Sequence, residues 1–114
     1  MLKQLFGASL AITFLVLCAT ATAADTVIVI TSHEVSDFTA WKKGFDAGKG
    51  NRDKAGLTER YIVRSPDKPN FVTIVLAGES LENAKKFVSE VKDRMKKNKI
   101  IVGEPDIKIG TIAK

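Results

Sequence analysis

The 114-residue chain is nearly devoid of the side chains that carry most metal and thiol chemistry: it has one cysteine, one histidine and one tryptophan. A lone Cys18 cannot close an intrachain disulfide, so no disulfide framework is expected. Cys18 and His33 together fall short of the roughly four nitrogen and sulfur ligands of a structural zinc site, so no metal is expected either. The length allows one domain and excludes a two-domain enzyme. With 45% hydrophobic residues and a net charge of +5, the chain is too apolar and too weakly charged to be disordered.

What is present begins with an address. Lys3 is the only charge before Asp25, and the apolar run from Leu5 to Cys18 suits the core of a signal peptide. Ala21-Thr22-Ala23 fits the small-residue rule for signal peptidase. Residues 1–24 are therefore read as a signal peptide cleaved after Ala23 or Ala24, and 25–114 as the folded domain. A retained anchor is the alternative, since ~20 apolar residues span a bilayer. Against it stand the weak basic start, the small Thr-rich end and the lack of a basic stop-transfer cluster. A lipoprotein reading on Cys18 fails on the bulky Leu17 before it. The expected location is the periplasm or outside the cell, with no stable membrane span after cleavage. Removing 23 residues leaves 91, without cysteine and with a charge of +4.

In the domain, Thr26–Thr31 is a β-branched, charge-free run that predicts a buried strand, ended by His33 before a helix. Ser36 or Asp37 can cap that helix, and Phe38, Trp41 and Phe45 share one of its faces. Ala55 extends the face and Gly56 stops it. Gly44, Gly48 and Gly50 each cost ~1 kcal/mol relative to Ala, so a break is expected near Gly48. Leu57–Arg64 and Phe71–Ala77 read as the next two strands, joined by a Pro-rich turn. Ser80 can cap a second helix whose buried stripe runs through Leu81, Ala84, Phe87, Val88, Val91 and Met95. Lys96, Lys97 and Lys99 crowd its end, where cations suit the helix dipole. Gly103 and Pro105 are expected to break the chain before a short last strand, Ile107–Ile112.

The order βαββαβ is that of the ferredoxin-like α+β fold: a four-stranded antiparallel sheet with two helices on one face. Right-handed crossovers give the spatial order 4-1-3-2. Charge placement supports this independently, because the charge-free first and third strands become central and the charged second and fourth become edges. The central strands are apolar on both faces, as Val27 and Val29 against Ile28 and Ile30 illustrate. With both helices on one face, the other would be a bare apolar patch. A second copy of the chain is its simplest cover, so a homodimer through the sheet face is expected. A heterologous partner or lipid is the alternative.

These residues also carry a resemblance. Val35-Ser36-Asp37-Phe38 followed by Trp41-Lys42 and Phe45-Asp46 resembles the dimeric α/β-barrel superfamily, which includes the antibiotic-biosynthesis-monooxygenase domain. Leu81, Ala84, Phe87-Val88, Val102-Gly103 and Pro105 resemble its second half. The resemblance spans about Thr26 to Ile112 and implies a dimeric barrel. It also implies an activity such as a cofactor-independent monooxygenase, an isomerase or none, with no cofactor. Haem-degrading members carry a histidine on the second helix. This second helix has none, and the only tryptophan is on the first, which disfavours haem degradation. Ser89-Glu90-Val91 and Asn98-Lys99-Ile100 also replace the Ser-Pro and Ala-Gly steps of many relatives.

His33 is the candidate catalytic residue, as a base or orienting donor near neutral pH, or else a residue that merely orders the strand-to-helix turn. Trp41, Phe45, Phe71, Phe87 and Tyr61 are candidate ligand contacts or core. Arg60 and Arg64 flank Ile62 and can clamp a carboxylate, or serve as solvated edge charges or dimer ion pairs. Glu34 and Glu79 follow strand ends and can meet His33. Gly48-Lys49-Gly50-Asn51-Arg52 only superficially resembles a phosphate loop, lacking its spacing and context. The basic run from Lys85 to Lys99 reads as a solvated helix face, and nucleic acid is not an expected partner. Three readings stay open: an exported envelope module that binds an apolar small ligand or serves a structural role, a cofactor-independent monooxygenase-like enzyme, and a polyanion-associated surface protein.

Overall fold

Alternation of buried and exposed residues along the first strand sets the two faces of the molecule. The computed structural model describes residues 25–113. The expected signal peptide lies outside them. The elements are β1 (Val27–Val35), α1 (Phe38–Ala47), α2 (Lys49–Lys54), β2 (Thr58–Arg64), β3 (Phe71–Gly78), α3 (Leu81–Lys97) and β4 (Ile101–Thr111). The strands form one antiparallel sheet in the order β2-β3-β1-β4, the ferredoxin-like order expected from the sequence. Among the described residues no helix is long and apolar enough to cross a membrane.

Side chains on a strand alternate between faces. Val27, Val29, Thr31, His33 and Val35 of β1 are all buried on one side. Val72, Ile74 and Leu76 of β3 continue that side. Trp41 of α1 and Ala84, Phe87 and Val88 of α3 complete the core cluster. Ile28, Ile30, Ser32 and Glu34 point the other way and stay half-buried or exposed.

Both long helices start on side-chain caps. Asp37, in extended conformation, accepts a hydrogen bond from the Ala40 N–H at 2.9 Å. Ser80 does the same for the Asn83 N–H at 3.1 Å. Arg94, Lys96 and Lys97 occupy the last turn of α3, where the carbonyl end of the dipole favours cations.

One expectation holds and two need correction. The break expected near Gly48 is present: α1 ends at Ala47, and the Gly48 N–H closes onto the carbonyls of Gly44 and Phe45 at 3.2 and 3.0 Å. α2 follows from Lys49, and Gly56, at φ +70°, ends the helical region. β1 runs four residues past Thr31, so His33 lies inside the strand rather than in the turn after it. β4 begins at Ile101, so Gly103 and Pro105 do not break the chain. Gly103 adopts φ +76°, beside the register shift between β1 and β4 at Ser32 and Glu34. A bulge on an edge strand absorbs both residues.

Candidate functional site

A cavity of about 430 Å3 opens between the helices and the buried side of the sheet. His33, Thr31, Ile74 and Leu76 of the two central strands form its base. Trp41 and Phe45 of α1 face Phe87, Val91 and Met95 of α3 across it. Asn51, Arg52, Arg94 and Asn98 contribute its polar groups.

His33 is set in place by strand parity. As an odd-numbered residue of β1 it shares the core side with Val29, Thr31 and Val35, and it is only 2% exposed. Its ring meets Trp41 edge-on, with centroids 5.7 Å apart. Neither Nδ1 nor Nε2 has a hydrogen-bond partner, so it does not order the turn after β1. Burial disfavours the charged form and pulls its pKa down from 6.5 to about 4. At neutral pH the imidazole is therefore neutral, with one donor and one acceptor, both open. Protonating it at pH 7 costs about 4 kcal/mol, from three pKa units. That suits it to binding and orienting a polar group better than to acting as a resting general base.

The aromatic wall is one stack. Trp41 lies on Phe45 with centroids 5.1 Å apart at 28°, and Phe38 tilts against Trp41 at 5.7 Å. Such a wall offers a flat apolar ligand a matching surface.

Arg52 is the residue that sequence reasoning missed. It is only 7% exposed, its Nη1 donates to the Phe45 carbonyl at 2.8 Å, and its guanidinium sits 3.8 Å from the centre of the Phe45 ring. From α2, Arg52 reaches back onto Phe45 of α1. Burial lowers its pKa, while Glu59, Asp46 and Asp53 act in the opposite direction. Guanidinium remains protonated throughout. The signal available in the sequence was the glycine-flanked Gly48–Arg52 stretch, but nothing there showed that the arginine turns inward.

The remaining candidates lie elsewhere. His33, Trp41, Phe45 and Phe87 share the cavity, whereas Arg60, Tyr61, Arg64 and Phe71 do not line it. Arg60 pairs with Asp25 at 2.6 Å. Arg64 donates to the Pro69 carbonyl at 2.7 Å and covers the Phe38 ring. The two arginines are thus engaged separately, and the carboxylate clamp considered for them is not formed. A register shift between Glu59 and Tyr61 explains this, because it removes Arg60 from the regular alternation. Tyr61 and Phe71 pair with Val75 and Glu34 on the opposite side of the sheet. Glu34 is exposed on that side and Glu79 is exposed beyond the far end of β1, so neither reaches His33. Among the described residues no three His, Cys, Asp or Glu side chains converge as metal ligands.

No protein-family model matches the sequence, and no curated protein matches it significantly. Solved structures do resemble it. One, from Bordetella bronchiseptica and provisionally named an antibiotic biosynthesis monooxygenase, superposes with a TM-score of 0.61 at 16% identity. It covers 80% of this chain and all of its own. A second so named, from Caulobacter crescentus CB15, gives 0.57 at 15% identity over 79% of this chain and 92% of its own. A dimeric ferredoxin-like protein from an uncultured marine organism gives 0.53 at 11% identity, over 80% and 90%. At such identities the likeness is one of fold: the chain has the ferredoxin-like architecture of these proteins.

Proposed function

We propose that the protein is a small exported homodimer that binds an apolar small molecule in the cavity between its sheet and its helices. The observation that carries this reading is His33, wholly buried at the cavity base with both ring nitrogens unpartnered. A buried polar group left unpaired costs about 1–3 kcal/mol, and a ligand that pairs it recovers that cost. The volume, about 430 Å3, is within the range of small-molecule sites. The aromatic wall and the apolar base favour a largely hydrocarbon ligand.

The dimer is supported by the uncovered side of the sheet. Ile30, Val63, Tyr61 and Phe71 stand there at 40%, 51%, 67% and 37% exposure. A sheet needs a cover on each apolar side, and two such faces can cover one another. The marine ferredoxin-like neighbour is itself described as dimeric. Export is supported by the apolar run and the Ala21-Thr22-Ala23 step.

A second reading is a cofactor-independent monooxygenase-like enzyme. Two neighbours of the same fold carry that provisional name. In it, His33 orients the substrate and Trp41 walls the reaction from water.

Native mass spectrometry of protein taken from the periplasm tests the proposal in one experiment. The expected spectrum is a dimer of chains cleaved after Ala23 or Ala24, carrying a small molecule that His33→Ala loses. Unchanged retention in His33→Ala would remove His33 from the site, and a monomer at micromolar concentration would end the dimer claim. Release of that molecule under air with one CH2 converted to C=O, one atom of O2 entering the product and the other leaving as water with the two hydrogens, would favour the enzyme.

A further inference from the structure

Arg52 gives the cavity a sign. It is a buried cation, and among the described residues no carboxylate lies within ion-pair distance of it. Buried charges in proteins are ordinarily paired, because an unpaired one keeps most of its desolvation cost. Two of the three acids that act on Arg52 through space are already committed: Asp46 to Lys42 at 2.7 Å and Asp53 to Lys49 at 2.8 Å. The third, Glu59, is exposed on β2. The Phe45 carbonyl satisfies only Nη1, so no carboxylate takes the rest of the planar fork. The residues lining the cavity include a second arginine, Arg94, and no aspartate or glutamate.

We propose that the cavity selects an amphipathic anion: a flat apolar body against Trp41 and Phe45, with a carboxylate-like group at Arg52. This rests on the ligand-binding reading and specifies its chemistry. A guanidinium fork matches the two oxygens of a carboxylate, and such charge-assisted bonds are roughly twice as strong as neutral ones. The Phe45 ring under the guanidinium fixes the plane of the fork, so the anion meets a cation already oriented.

The chain's single tryptophan lines the cavity, so its fluorescence reports occupancy directly. Naphthalene-carboxylate and naphthalene-carboxamide, nearly isosteric and differing in charge, are titrated into the intact protein. The carboxylate is expected to quench Trp41 with an affinity about tenfold higher than the amide. Arg52→Gln should abolish that advantage, and Arg52→Lys should keep part of it. Amide binding by Arg52→Gln also shows that the variant is folded. If that variant fails to fold, the two titrations of the unmutated protein decide. Equal affinities, or a preference for the amide, would overturn the anion selectivity and leave the ligand-binding reading standing. Absence of quenching by either compound would overturn both.

Discussion

A histidine whose two ring nitrogens both lack partners is an uncomfortable thing to bury, and His33 makes that discomfort measurable. In the unfolded chain it titrates near its ordinary 6.5, and in the fold at about 4. Between these values the unfolded state binds more protons than the folded one. Stability is therefore full above pH 6.5 and falls as the pH drops toward 4. The loss contributed by this residue is about 3 kcal/mol by pH 4. His33→Phe removes the titration while keeping a ring against Trp41. Urea denaturation at pH 7 and pH 4.5 should show a smaller acid loss in His33→Phe than in the unmutated protein. An equal loss in both would show that His33 is not held neutral by burial.

At the scale of elements, the helices stand on their caps and on packing. The glycines of the first helical region lower its intrinsic propensity, and the chain responds by splitting at Gly48. α1 is thus a ten-residue helix started by one aspartate. Asp37→Ala and Ser80→Ala should each destabilise the domain by about 1 kcal/mol in chemical denaturation. The caps belong to different helices and share no partner, so the double variant should lose about the sum. These losses should come without any change in the affinity of a ligand bound in the cavity.

At the scale of the whole molecule, the domain is an unfinished sandwich. Folding covers one side of the sheet with α1, α2 and α3 and leaves the other bare. A domain of ~90 residues buries only about 60–65% of its unfolded surface alone, so a further covered face is a large gain. Ile30 lies on the central strand β1 opposite Val75 and is 40% exposed. Ile30→Lys should leave the fold intact, because that side is solvated in a single protomer. If the proposed dimer forms through this side, the change should shift its sedimentation to that of a monomer, by burying an unpaired cation in the interface. A dimer unaffected by this change would place the interface elsewhere.

By itself the sequence determined the parts that depend on local pattern. Charge-free Val, Ile and Leu runs marked the central strands, charged runs marked the edges, and Asp37 and Ser80 marked the helix starts, so the ferredoxin-like order was legible. His33, Trp41, Phe45 and Phe87 were legible as candidates because parity and helical spacing point them inward together. Only the tertiary structure decided the rest. Gly103 and Pro105 read as breakers locally, yet pairing with β1 holds them in β4 through a bulge. Arg60 and Arg64 looked alike on paper, but a register shift and two different partners separated them. Arg52 stood in a stretch that only superficially resembled a phosphate loop, and only the packed structure shows it lying over Phe45. Local pattern fixes which residues alternate and which repeat, because those periods are properties of the backbone. Which polar group ends up buried without a partner depends on where distant elements meet, and only the packed structure determines that.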